Sequence, residues 1–170
     1  MKTRKPLLAI PALLMAMSAM AAGTHAGGHD DDAIGKPGLA SRVSKTITMN
    51  MTDDMRFSVS NVTARQGETI RFVVKNSGKI KHEMVLSSEK ELKEHYEVMK
   101  KNPEMEHAEA NMVTVAPGKT GEIIWQFTKA GKVDFACLQP GHYDAGMKGV
   151  VTVASGKVAP KREDHGDHKH

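Results

Sequence analysis

Between residues 44 and 154 the sequence is a succession of short stretches in which apolar and polar residues alternate. The first of these are KTITMNM, MRFSVSNVTA and ETIRFVVKN, and three more occur in NMVTVAPGKTGEIIWQFTKAGKVDFAC before a last one in KGVVTVA. Alternation with a period of two residues is typical of strands that bury one face. About seven such strands predict an all-β fold, a Greek-key β-sandwich.

One segment, SEKELKEHYEVMKK, has a helical period instead. Ser88 stands three residues before Glu91, the spacing of a capping box at the start of a helix. Leu92, Tyr96 and Met99 then follow at intervals that place them on one helical face. The sequence therefore predicts one helix inserted between strands of the sandwich.

The first 22 residues have the pattern of a secretory signal peptide. Lys2, Arg4 and Lys5 precede the apolar run LLAIPALLMAMSAM, which is too short to span a bilayer and leads into small residues. Cleavage is expected between residues 21 and 26. Since no second apolar stretch approaches membrane length, the mature protein is expected in the periplasm of a bacterium, with no membrane span after signal removal.

Polar, glycine-rich segments flank the region of alternating stretches. Residues 23–43, which contain GTHAGGHDDD, have little apolar surface to bury and predict a flexible arm. Residues 155–170, which end in KREDHGDHKH, predict a flexible tail. The folded domain is accordingly expected to cover residues 44–154.

The charge of the chain argues against nucleic acid as a partner. The formal net charge is +4, and it falls to +1 once the three cationic residues of the signal are removed. A basic face with interleaved aromatic residues is also lacking. A monomer is expected.

Cys137 is the only cysteine of the chain. An exported protein normally pairs its cysteines, and this thiol has no intramolecular partner. It must be buried, serve as a ligand or join another chain.

The stretch CLQPGHYDAGM, residues 137–147, suggests which alternative applies. Cys137 ends a predicted strand, and the Pro- and Gly-containing loop after it brings His142 and Met147 within reach. A thiolate, imidazoles and a weak axial thioether are the ligands of a blue-copper centre, which requires one more histidine. The candidate is His82 in KIKHEMVL, because the preceding strand and its NSGK turn lead back to the same end of the sandwich.

These motifs together resemble those of the cupredoxins, small β-sandwich proteins with a type 1 copper site. The resemblance rests on HEMVL and on FACLQPGHYDAGMKGVVTV, and it extends from about residue 44 to residue 154. The block from HEMVL to GEIIWQF is similar to the periplasmic copper-tolerance cupredoxins of the CopI type. The resemblance implies copper bound by the Nδ1 atoms of His82 and His142, the Cys137 thiolate and, axially, Met147.

One residue departs from the family pattern. Many cupredoxins have asparagine directly after the first histidine ligand, where it helps to tie the ligand loops together, whereas this chain has Glu83. The surroundings of the ligands, and with them the colour and reduction potential of the site, are therefore expected to differ from those of the family.

Methionine is abundant, and thioethers are soft ligands suited to Cu(I). Eight of the 12 methionines follow the signal. Core packing is the expected role for those on apolar faces, such as Met49, Met51 and Met99. Met105 and His107, in the irregular segment PEMEHAEAN, are candidates for an accessory copper site.

The flanking segments contain further candidates for accessory copper. Short tracts of histidine with aspartate bind divalent metals, and the alternative is a solvated tail whose histidines bind nothing. Cleavage after residue 22 or 26 would also place a histidine third in the mature chain, where it completes a square-planar Cu(II) site with the terminal amine. Cleavage after residue 21, which best fits the small-residue rule, would place it fourth and prevent that site. These candidates are His25, His29, His165, His168 and His170.

Two functions are compatible with these features. A copper-tolerance protein would sequester copper or handle its Cu(I)/Cu(II) redox change, which the methionines and histidine tracts favour. A dedicated soluble electron carrier would shuttle between redox partners and need only the type 1 site. An enzyme is not expected, because one domain has no room for the repeat that adds further copper sites. A Cu(I)-oxidising activity would require an accessory methionine and histidine site that feeds the type 1 centre. The redox or copper-transfer protein that would act as partner is unknown.

Overall fold

The computed structural model describes residues 34–105 and 108–156, in which ten strands form two five-stranded sheets and one α-helix connects two strands. The strands are β1 (Lys36–Pro37), β2 (Lys45–Thr52), β3 (Arg56–Phe57), β4 (Asn61–Arg65), β5 (Thr69–Asn76), β6 (His82–Ser87), β7 (Met112–Val115), β8 (Thr120–Gln126), β9 (Gly131–Ala136) and β10 (Lys148–Ala154). The helix α1 spans Glu89–Lys101. A short 3₁₀ helix covers Ala40–Arg42.

The two sheets have the strand arrangement of a sandwich. The first sheet has the order β1-β8-β5-β2-β3, and the second has the order β4-β10-β9-β6-β7. The pairs β2–β5 and β4–β10 are parallel, and the others are antiparallel. The predicted β-sandwich with one inserted helix is confirmed. It has more strands than the alternation indicated, because β1 and β3 have only two residues each and β6 does not alternate.

The core lies between the sheets and is built from the alternating apolar residues. Met49 and Met51 of β2 are buried, as are Trp125 and Phe127 at the end of β8. The ring of Phe127 meets that of Phe72 edge-on, with centroids 6.3 Å apart. Aromatic rings in this arrangement pack favourably beyond the area they bury.

Strand β6 is buried on both faces. Met84 and Leu86 point into the main core, whereas Val85 belongs to a second apolar cluster with Leu92 and Tyr96 of α1. The helix therefore covers the outer face of the second sheet beside β6 and β9. This explains why HEMVLS lacks a polar face and does not alternate.

The helix begins as the capping box predicts. The Ser88 hydroxyl accepts a hydrogen bond from the Glu91 backbone N–H at 3.2 Å, and the Glu91 carboxylate accepts one from the Ser88 N–H at 3.3 Å. Leu92, Tyr96 and Met99 are its buried residues. The helix is thus both started and docked by residues that its sequence makes recognisable.

Residues 34–43 are part of the fold, in contrast to the predicted arm that extended to residue 43. Strand β1 pairs with β8 at the edge of the first sheet. Ile34 is buried, and its carbonyl accepts a hydrogen bond from the Trp125 indole at 3.0 Å. A two-residue strand and a single isoleucine are too short for an alternating pattern, so the domain begins about ten residues before the predicted boundary.

No helix in residues 34–105 or 108–156 is both long and apolar enough to cross a membrane. The predicted signal peptide and the tail from residue 157 onward lie outside the described residues.

Candidate metal centre

The four predicted ligands lie at one end of the second sheet. His82 is the first residue of β6, and Cys137 directly follows β9. Because β6 and β9 are antiparallel neighbours, the start of one strand lies beside the end of the other. The loop of residues 138–147 carries His142 and ends at Met147, directly before β10.

Three ligand atoms converge within this end of the sandwich. The Nδ1 atoms of His82 and His142 are 3.2 Å apart, and the Cys137 Sγ lies 3.2 Å from the His142 Nδ1. His82 and Cys137 are fully buried, and His142 is 8% exposed. One thiol and two imidazole nitrogens pointing at a common position form a donor set that suits copper.

Met147 is held beside this group by the backbone. Its N–H donates to the His142 carbonyl at 3.0 Å, and its carbonyl accepts from the Cys137 N–H at 3.0 Å. Its side chain is fully buried in the main core cluster, which also contains Cys137. These two hydrogen bonds close the loop of residues 137–147 into a compact ring.

Asp53 orients the imidazole of His82. The His82 Nε2 lies 3.2 Å from the Asp53 Oδ1, and the Lys79 N–H donates to the Asp53 Oδ2 at 2.8 Å. The Lys79 N–H, and to a smaller extent His82, hold the pKa of Asp53 below its ordinary value. A proton on Nε2 leaves the lone pair of Nδ1 directed at the site.

Glu83 links β6 to the ligand loop. Its carboxylate accepts hydrogen bonds from the Leu138 N–H at 2.9 Å and the Gln139 side-chain amide at 3.0 Å. Its own N–H donates to the Cys137 Sγ at 3.4 Å. Glu83 therefore ties the ligand loop to its neighbouring strand, the role that the family resemblance assigns to asparagine at this position.

Tyr96 of α1 supports the same loop from outside. Its hydroxyl accepts a hydrogen bond from the Gly141 N–H at 2.9 Å and donates to the Asp144 carboxylate at 2.9 Å. Burial, followed by the hydrogen bond to Asp144, raises the pKa of Tyr96. Arg56 adds a hydrogen bond to the Ala145 carbonyl at 2.6 Å.

Sequence reasoning missed the supporting roles of Asp53 and Tyr96. For Tyr96 a signal existed, because a tyrosine on the buried face of a helix needs a partner for its hydroxyl. Asp53 stands in a turn far along the chain from His82, and no local pattern marks it.

Burial shifts the pKa values of two of the predicted ligands. Burial raises the pKa of Cys137 to about 12. Burial, and then the neighbouring His82, lowers the pKa of His142. A metal that binds the thiolate must therefore displace the proton of the thiol.

The accessory candidates are only partly described. Met105 lies after α1 and is 44% exposed, whereas Met49, Met51 and Met99 are buried, in agreement with core packing. The other candidates, His25, His29, His107, His165, His168 and His170, lie outside the described residues.

Comparison with known proteins agrees with this geometry. The family model of copper binding proteins of the plastocyanin/azurin family matches residues 43–154. The copper-resistant cuproprotein CopI of Rubrivivax gelatinosus is 46% identical over 164 residues, covering 90% of this chain and 99% of that protein. CopI of Vibrio cholerae is 39% identical over 115 residues, covering 67% of this chain and 68% of that protein. Dithionite-reduced auracyanin from Roseiflexus castenholzii superposes with a TM-score of 0.56 at 25% identity, covering 66% of this chain and 98% of its own.

Proposed function

Because the chain belongs to the plastocyanin/azurin family of copper-binding proteins, among cupredoxins of the CopI type, we propose that it handles copper in the bacterial periplasm and thereby confers copper tolerance. The observation that carries this proposal is the buried convergence of one thiol and two imidazole Nδ1 atoms in a chain similar over nearly its full length to a copper-resistant cuproprotein.

The copper is of type 1, and we assign its ligands as the Nδ1 atoms of His82 and His142, the thiolate of Cys137 and the axial thioether of Met147. The His142 Nδ1 lies 3.2 Å from both the His82 Nδ1 and the Cys137 Sγ, which supports the assignment, as does the backbone ring that holds Met147. Such a copper exchanges one electron between Cu(I) and Cu(II) with little change in geometry. Asp53, Glu83 and Tyr96 keep the ligands in place for either oxidation state.

Absorption spectroscopy tests the ligand assignment. The oxidised, copper-loaded protein is expected to be blue or green, because a thiolate bonded to Cu(II) gives an intense charge-transfer band in the visible range. Cys137→Ala is expected to be colourless, and His95→Ala on the helix serves as a control that retains the band. A wild-type protein that binds Cu(II) without the band would overturn the type 1 assignment.

A gene deletion tests the tolerance function. The deletion strain is expected to grow poorly on copper salts, and the wild-type gene is expected to restore growth where Cys137→Ala does not. The alternative, a dedicated electron carrier, predicts normal copper tolerance and one copper per protein. Normal growth of the deletion strain would replace copper handling by electron transfer, while the ligand assignment would stand.

The cellular location has its own test. Export through the signal of residues 1–22 predicts that the protein is recovered from the periplasmic fraction with a new amino terminus between residues 21 and 26. Sequencing that terminus also shows whether a histidine stands third, as an amino-terminal Cu(II) site requires. Recovery with an intact Met1 would contradict export.

A further inference from the structure

A cavity of about 390 Å³ lies beside the metal centre and is lined by three methionines. Met99 comes from the last turn of α1, Met105 from the segment after it and Met112 from the start of β7. Three separate elements thus bring thioethers to one space.

Core packing explains two of these side chains but not the third. Met99 and Met112 belong to the apolar cluster under α1, which also includes Leu92 and Tyr96. Met105 is 44% exposed and contributes little to that cluster. A flexible thioether that stays partly exposed at the edge of a methionine-lined cavity is placed to bind rather than to fill space.

The donors around the cavity favour a soft cation over a hard one. The Glu83 carboxylate, which is part of the lining, already accepts hydrogen bonds from Leu138 and Gln139. Apart from the uncharged side-chain oxygens of Thr114 and Gln139, the remaining donors are three thioether sulfur atoms, which prefer Cu(I).

Two residues that support the metal centre also line the cavity. They are Glu83, whose N–H donates to the Cys137 Sγ at 3.4 Å, and Gln139 of the ligand loop. A cation in the cavity would therefore lie close to the type 1 ligands while remaining outside them.

We propose that Met99, Met105 and Met112 form a second copper site that is selective for Cu(I). The identity of the cation rests on the copper-handling function proposed above, whereas the site itself rests on the cavity and its thioethers. It is a binding site that adds capacity for one Cu(I) next to the type 1 centre.

Counting bound Cu(I) tests the site. Full-length protein that already carries one copper is titrated anaerobically with Cu(I) in the presence of a chromophoric Cu(I) chelator. The wild type is expected to bind one Cu(I) more than the variant Met99→Leu/Met105→Leu/Met112→Leu, because leucine keeps the volume but lacks sulfur. Met49→Leu, a buried methionine of the main core, is the matched control and is expected to bind as many as the wild type.

Two measurements distinguish loss of the second copper site from misfolding of the triple variant. The single variant Met105→Leu changes only the exposed ligand and is expected to weaken the extra Cu(I) at least tenfold. In wild-type protein labelled with ¹³C at the methionine methyl groups, the second equivalent of Cu(I) is expected to shift the resonances of Met99, Met105 and Met112 and to leave that of Met49 in place.

Equal Cu(I) counts in the wild type and the triple leucine variant, or unshifted methyl resonances of the three methionines, would overturn the proposal. So would Zn²⁺ if it shifted these methyl resonances as much as Cu(I) does. The visible band of the type 1 centre separates the two hypotheses. A retained band with no extra Cu(I) removes only this second site, and a missing band with extra Cu(I) removes only the type 1 assignment.

Discussion

Removing the hydroxyl of Tyr96 tests whether α1 holds the ligand loop. Tyr96→Phe keeps the ring, which packs on the Tyr143 ring with centroids 5.2 Å apart, but deletes the hydrogen bonds to Gly141 and Asp144. Each of these bonds contributes on the order of 1 kcal/mol, and a bond to a carboxylate contributes somewhat more. Gly141 and Asp144 are exposed and can hydrogen-bond to water in the variant, so no penalty for buried unpaired groups is added. The variant is therefore expected to lose only the two bonds, about 2 kcal/mol of unfolding free energy.

Copper binding should respond as well. If the loop relaxes in the metal-free variant, copper must order it again, and the affinity falls by up to the same free energy. A loss of about 2 kcal/mol corresponds to a reduction in copper affinity of up to roughly thirtyfold. A loop that stays ordered without the hydroxyl would leave the affinity unchanged while the stability still falls.

Urea unfolding of the metal-free protein and a competition titration with a copper chelator measure these two quantities. Tyr143→Phe is the matched control, because the Tyr143 hydroxyl makes none of the hydrogen bonds described above for the loop. A loss of unfolding free energy below about 0.5 kcal/mol relative to that control, which is the range of ordinary surface substitutions, would refute the supporting role of Tyr96.

Four further perturbations have defined outcomes. Glu83→Gln removes a carboxylate that only accepts hydrogen bonds, and voltammetry is expected to show a reduction potential higher by on the order of 50 mV, with exposed Glu94→Gln unchanged as the control. Met147→Leu is expected to keep copper and raise the potential, since Cu(II) loses a donor; an unchanged or lower value would mean that Met147 is not the axial ligand. Copper(II) binding at pH 7 is expected to release about one proton by calorimetry in different buffers, because the Cys137 pKa is raised to about 12 and the thiol is protonated in the metal-free protein. The metal-free protein should also lose stability above pH 9, because the unfolded thiol ionises near its ordinary pKa of 9.0 while the buried thiol keeps its proton; a flat profile between pH 8 and pH 10 would contradict this.

The parts of the fold that sequence reasoning predicted are those that local patterns determine. Strand β2 alternates because one face packs on the core and the other does not, and α1 begins at a capping box formed by residues three apart. Strand β6 was not predicted from alternation because both of its faces are buried. A continuous apolar run carries no period by which a strand can be distinguished.

Some features of the metal centre could likewise be predicted from the sequence, and others could not. The spacing of Cys137, His142 and Met147 was visible because all three lie within one loop. The hydrogen bond between Asp53 and His82 and that between Tyr96 and Gly141 join residues 29 and 45 positions apart. Such contacts follow from the packing of distant elements, which a single sequence does not display. The role of Glu83 could be anticipated only as a departure from a family pattern.

The parallel pairing of β4 with β10 has a consequence for the order in which the protein matures. Residues 61–65 of β4 pair with residues 150–154 of β10, so the second sheet closes only when nearly the whole domain is present. Contacts between residues so far apart form late, because closing the long intervening loop costs entropy before the pairing returns any free energy. Met147 is the residue before β10, and Cys137 and His142 stand within eleven residues of it. The predicted ligand set therefore stays unassembled until the final strand docks, and copper capture is expected to be a late event of folding.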